Sequence, residues 1–170
     1  MPYLATPDWR RVVRDKWLIF DADAIITIIE FRAQDLFVAL KELNCNFTYI
    51  HPVLLELMNT DTAQKRLQRG TLLSEHEFTQ LTITQAERDL SDRIQKSLPL
   101  GVKSKPSATD FYLAGTLAKY GQSQNAVLLT SNTKDFPLPI FPRLGFINLQ
   151  NTTDVKAVSI LGVDMSKVLD

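Results

Sequence analysis

Four short apolar runs, WLIF (17–20), FTYI (47–50), AVLL (126–129) and GFINL (145–149), punctuate the chain, each bounded by polar or turn-forming residues. Unalternated runs of this length, rich in branched and aromatic side chains, fit strands buried on both faces of a parallel sheet. Between them lie AQDLFVALKEL, PVLLELM, QAERDLSDRIQKSL and ATDFYLAGTLAKYG, all with helical spacing. Strand and helix in alternation predict an α/β class, a three-layer α/β/α sandwich with right-handed crossovers around a central parallel sheet of four or five strands. Ligands of such sheets bind beyond the carboxyl ends of the strands, so the polar residues that directly follow each run are where chemistry is expected.

A chain of 170 residues, 45% hydrophobic and 22% charged, has the balance of an ordinary globular domain. The expected division is a basic N-terminal extension over 1–16, a main domain over 17–150, and a C-terminal extension over 151–170 packed on it. Nineteen basic and nineteen acidic residues cancel, so any contact with phosphates is local rather than a property of the whole surface. The start MPYLATPDWRRVVRDKW has no apolar core of signal-peptide length, and every apolar stretch is short of a membrane span. A cytoplasmic protein without a membrane partner is the expectation. Cys45 is the single cysteine, set before an apolar run, and reads as structural. The six scattered glycines leave no phosphate-cradling loop and no repeat.

The acidic residues are placed more tellingly. Asp21 directly follows the first run and Asp23 lies two residues on. Either can cap the helix that starts near Ala24, or face a cation. Pro52 suits a first helical position and puts Glu56 in the second turn, just outside the stripe of Val53, Leu54, Leu57 and Met58, where a solvated glutamate is ordinary. Asp110 has Leu113, Ala114 and Leu117 at i+3, i+4 and i+7, which places it at the head of a buried stripe. A first-turn anion capped by Ser107 or Thr109 explains an aspartate there but not its choice of face. Gly121, with Lys119 in the last turn, is expected to close that helix. AVLLTSNTKDF then delivers Thr130, Ser131, Asn132 and Asp135 to the same edge as Asp21.

Carboxylates gathered there would repel by about 4 kcal/mol per pair at 4 Å with an effective dielectric near 20. Oxygen ligands with no supporting His or Cys pattern select a hard cation, Mg²⁺ or Mn²⁺.

In WLIFDADAII, FTYIHPVLLEL, ATDFYLAGTLAKYG and LLTSNTKDF, taken in order over about 17–150, the chain resembles the PIN-domain family. The resemblance implies a divalent-metal-dependent ribonuclease that hydrolyses RNA phosphodiester bonds. It makes Asp21, Glu56, Asp110 and Asp135 the catalytic, metal-binding acids, with Asp23, Thr130, Ser131 and Asn132 lining the site. The chain departs from the family at Ala22 and Asp23, where a hydroxyl residue and an asparagine or serine are usual, and at Asn132, where many members carry aspartate. Toxin members add an antitoxin protein partner and a homodimer to the expectation. Lys103, Lys105, Lys134, and Lys65 with Arg66 and Arg69 are candidates to track an RNA backbone or are simply solvated. Single-stranded or looped RNA is the expected substrate, because bases must splay to be read.

Two other readings compete. A haloacid-dehalogenase-like phosphatase would use Asp21 as nucleophile and Asp23 as general acid, with VLLTSN as its second motif. That family also needs a lysine and a late acidic pair, for which Asp164 is a poor substitute, and it leaves Glu56 and Asp110 without a role. A PIN-like module that binds RNA or a protein with weak turnover is the non-enzyme alternative. Triad chemistry has little support, since His51 and His76 lie in helix-start and polar settings and no serine sits in a nucleophile elbow.

Overall fold

The computed structural model describes residues 3–4, 7–99 and 106–169. Lys103 and Lys105 lie outside the described residues. One sheet contains β1 Tyr3–Leu4, β2 Trp17–Phe20, β3 Asn46–Ile50, β4 Thr79–Leu81, β5 Ala126–Thr130, β6 Arg143–Gln150 and β7 Val155–Leu161. Its strand order is β1-β6-β7-β5-β2-β3-β4. The helices are α1 Pro7–Val13, α2 Ala22–Glu30, α3 Asp35–Glu42, α4 His51–Met58, α5 Ala63–Glu75, α6 Gln85–Ser97 and α7 Ala108–Ser123. The class is α/β, and the sheet is sandwiched between helical layers.

β5, β2, β3 and β4 are parallel, as the apolar runs of β5, β2 and β3 imply; β4, TQL, is mostly exposed and had no such run, whereas β5 is buried along its whole length. The other pairings, β5 with β7, β7 with β6 and β6 with β1, are antiparallel. GFINL therefore does not join the parallel set. In β6, Ile147 and Leu149 are buried while Phe146 is exposed, which is the pattern of a strand covered on one face. The segment after 150, expected as an extension, supplies β7, which inserts between β5 and β6. Its burial alternates, so no continuous apolar run marked it in the sequence.

From β2 the chain steps outward to β3 and β4, then returns across the sheet to β5 on the other side of β2. Right-handed crossovers in opposite directions put their helices on opposite faces. The packing agrees. Phe37 of α3 meets Phe20 of β2 and Phe47 of β3 at ring-centroid distances of 5.9 and 5.8 Å. Trp17, whose side chain points the other way from Phe20, stacks on Tyr120 of α7 at 5.9 Å. The reversal creates a topological switch point at the carboxyl ends of β2 and β5.

The hairpin of α6 and α7 positions the first turn of α7 beside that point. Thr84 and Glu87 form a capping box at the head of α6, and Lys119 reaches the buried Glu87 at 2.7 Å. Burial pushes the Glu87 pKa up, but hydrogen bonds from Lys119 and Thr84 outweigh it and hold the carboxyl below its usual range. Ser91 Oγ lies 2.7 Å from the carbonyls of both Glu87 and Phe111. The helices approach so closely there that a Cβ at Gly115 would collide with the Glu87 carbonyl and Ser91 Oγ. Gly121 does not close α7, which continues to Ser123 and is followed by the left-handed Asn125 at φ 54°.

The basic run near the start of α5 is occupied locally. Lys65 pairs with Asp61 at 3.0 Å, while Arg66 and Arg69 donate to the carbonyls of Thr60 and Leu57. Cys45 is buried, its Sγ 3.1 Å from the Val13 carbonyl, and burial pushes its thiol up to about 11. Among the described residues, no helix is long and apolar enough to cross a membrane.

Replacing Gly115 by Ala should lower unfolding stability by about 1–3 kcal/mol through overpacking at the helix contact. Gly70→Ala, at a position of α5 with nothing within 4 Å of the added atom, should raise it by up to about 1 kcal/mol. Urea denaturation of the two variants checks the contrast.

Candidate functional site

Asp21 occupies the N-cap position of α2 with extended backbone, φ −74° and ψ 151°, yet its side chain makes no capping hydrogen bond. Its backbone N–H instead continues the sheet by donating to the Leu129 carbonyl at 3.0 Å. The carboxylate turns to the end of β5, where the Thr130 hydroxyl donates to Oδ2 at 2.7 Å. Only 4% of Asp21 is exposed and Thr130 is fully buried. The capping role open to Asp21 is thus not the one it takes.

Thr130 also organises the loop that follows. The Asn132 N–H donates to Thr130 Oγ1 at 3.1 Å, and Asn132 Nδ2 donates to Asp135 Oδ2 at 2.6 Å, in a short 3-10 turn over Thr133–Asp135. Ser131 Oγ accepts from Thr27 Oγ1 of α2 at 3.1 Å. Arg143 donates to the carbonyls of Thr133, Phe136 and Phe141 and pins the far side of this loop. Neither Thr27 nor Arg143 was singled out in the sequence. Thr27 left a trace as the one hydroxyl inside the helical run AIITII, whereas an arginine at the start of a strand gives none.

Asp110 sits at the third position of α7 in a capping box. Its Oδ2 accepts from the Ser107 N–H at 2.8 Å and from Ser107 Oγ at 2.6 Å. Ser107, rather than Thr109, is the cap. Asp23 is exposed on the first turn of α2, and Glu56 is exposed on α4.

The electrostatic field links these groups. Burial pushes the Asp21 pKa up to about 7; the Thr130 hydrogen bond opposes this, and the charges of Asp23, Asp110 and Glu56 add to it. Asp135 is likewise raised, by burial and by Asp110 and Asp23, against the pull of Asn132 and Lys134. Among the described residues no lysine or arginine forms an ion pair with Asp21, so its negative charge has a hydroxyl for company and other carboxylates around it. Among the described residues, too, no three His, Cys, Asp or Glu side chains stand close enough to enclose a metal ion.

An all-protein cage is therefore not what these residues offer. Mg²⁺ does not demand one, since it binds through one or two carboxylates while keeping waters and substrate oxygens. The donor chemistry fits such an ion. Asp21 is the one deeply buried carboxylate of the set, and a hydrated hard ion is compatible with so few protein ligands. Compared with known proteins, the chain matches no family model, no curated protein and no solved structure.

The raised pKa fixes a sign. Asp21 binds a proton in the folded state below about 7, whereas in the unfolded chain it stays ionised down to its ordinary 3.8. Its contribution to metal-free stability therefore grows as pH falls from 7 towards 4, and above 7 the folded state carries a cost on the order of 4 kcal/mol. Asp21→Asn should raise the unfolding temperature of chelator-treated protein strongly at pH 8 and little at pH 4.5. Thermal unfolding followed by circular dichroism at both pH values measures the difference.

Proposed function

We propose that this chain is a divalent-metal-dependent endoribonuclease of the PIN-domain type, acting on single-stranded RNA with Mg²⁺ or Mn²⁺. The observation that carries the reading is the buried carboxylate of Asp21 at the switch point, its pKa raised by burial and by Asp23, Asp110 and Glu56, with no basic side chain paired to it among the described residues. A stable fold keeps such a group when a cation offsets it in the working state.

In this reading Asp21 holds the ion, and Thr130 fixes the orientation of its carboxylate by donating to one oxygen. Asp110 and Glu56 supply further negative charge from two helices, and Asn132 aligns Asp135 from the loop. The ion, when bound, supplies Lewis-acid polarisation of the scissile phosphate and activation of water. Asp23, exposed on the first turn of α2, would orient water or substrate in this reading without being buried itself. RNA as substrate, an antitoxin as partner, a homodimer and a cytoplasmic location belong to the same proposal.

Purified protein should cleave fluorescent single-stranded RNA with Mn²⁺ or Mg²⁺ and stop with chelator. Asp110→Asn should reduce cleavage by roughly a hundredfold or more, the scale of losing a group that organises transition-state charge, while Asp23→Asn only weakens it. Phosphatase chemistry would reverse that ranking, with Asp23 indispensable and a phosphate monoester consumed. Metal-dependent RNA binding without cleavage would point to a binding module.

A further inference from the structure

The strand register carries a row of side chains away from the acidic site along one face of the sheet. Thr130, which holds Asp21, pairs with Ser159 of β7, and Ser159 pairs with Phe146 of β6. Directly paired residues point to the same side of a sheet, so Phe146 shares the face of Thr130, about 10 Å away at two strand spacings. β5 stops at Thr130, but the β6–β7 hairpin continues for another four residues, to Gln150 and Val155. It projects about 13 Å past the carboxyl edge as a ledge beside the switch point.

The two faces of this ledge differ. Ile147, Leu149 and Val158 on one side are fully buried. On the other, Phe146 is 46% and Val155 60% exposed, while Asn148, Ala157 and Ser159 are partly open. Among the described residues, the three pairs from Phe146 outward carry no charge on that face; Arg143, paired with Leu161 further back on the same face, is the nearest charged group that the two strands place there. Its rows pair Phe146 with Ser159, Asn148 with Ala157 and Gln150 with Val155, so each exposed apolar group has a polar cross-strand neighbour.

Resting on the ribonuclease reading, we propose that this open face is the platform on which the RNA strand lies as it enters or leaves the acidic site, with a base stacked on Phe146 and base edges read by Asn148 and Gln150. Three observations choose that occupant over a protein surface. The platform is continuous with the site through paired strands. Its apolar side chains are interleaved with amides that donate and accept together, as unstacked bases require, instead of forming one apolar patch. Its outward rows also carry no negative charge, so a polyanion meets no added repulsion there. An aromatic face stacks any base, which makes the platform tolerant of sequence at Phe146 and selective only at the amides.

The test is binding of a short fluorescein-labelled single-stranded RNA, with Mg²⁺ present, to full-length Asp21→Asn protein, which holds RNA without cutting it. Phe146→Ala should weaken binding by roughly tenfold, Asn148→Ala by less, and Phe146→Trp should keep or improve it. With Asp21 intact, Phe146→Ala should raise KM and leave kcat nearly unchanged. Cleavage by the wild type with affinity indifferent to all three substitutions overturns the platform and leaves the ribonuclease reading standing. Unchanged RNA affinity, with Phe146→Ala dissociating a dimer in sedimentation, assigns the face to a second copy and also overturns it. A wild-type protein that neither cleaves nor binds RNA overturns both.

Discussion

Placing an aspartate where β2 leaves the sheet, with 4% of its surface exposed, sets the terms for everything around it. Removing a carboxylate from water costs several kcal/mol unless a partner compensates. Among the described residues the side-chain compensation is one hydroxyl, that of Thr130 at 2.7 Å. The surrounding acids act in the opposite direction. The fold supports this arrangement because the aromatic cluster of Phe20, Phe37, Phe47 and Phe78 on one face, and α7 on the other, leave β2 no freedom to turn its end outward.

The same constraint explains the economy of the neighbouring elements. Asp110 both opens α7, by accepting from Ser107, and adds to the field at Asp21. One side chain thus has a structural partner and an electrostatic one. The close contact of α6 and α7 at Gly115 and Ser91 makes the position of that first turn rigid rather than adjustable. On the opposite flank, Arg143 ties three loop carbonyls together, so Asp135 is presented by a fixed loop.

Much of this was legible in the residues, and the misses have physical reasons. The parallel strands β2, β3 and β5 announced themselves because burial on both faces demands unbroken apolar runs. β7 did not, because a strand with one open face alternates, and VKAVSIL reads as easily as a helix. GFINL was visible as a strand, but the insertion of antiparallel β7 between it and β5 was not. In the site, the position of Asp110 on the apolar stripe was readable from helical spacing. That Asp21 would forgo capping α2 for Thr130 was not, since both partners are equally polar in sequence and only the register of β2 against β5 decides between them. The charges of Lys65, Arg66 and Arg69 were visible, but not the α4 and loop groups that absorb them.

The central claim is that Asp21 is kept ionised by a divalent cation, and metal-dependent stability measures it most directly. Unfolding temperature at pH 8 should rise by several degrees when Mn²⁺ or Mg²⁺ replaces chelator in the wild type, as binding to the folded state alone requires. The rise should vanish in Asp21→Asn and shrink in Asp110→Asn. No rise in the wild type, or an equal rise in the Asp21→Asn protein, would contradict the account.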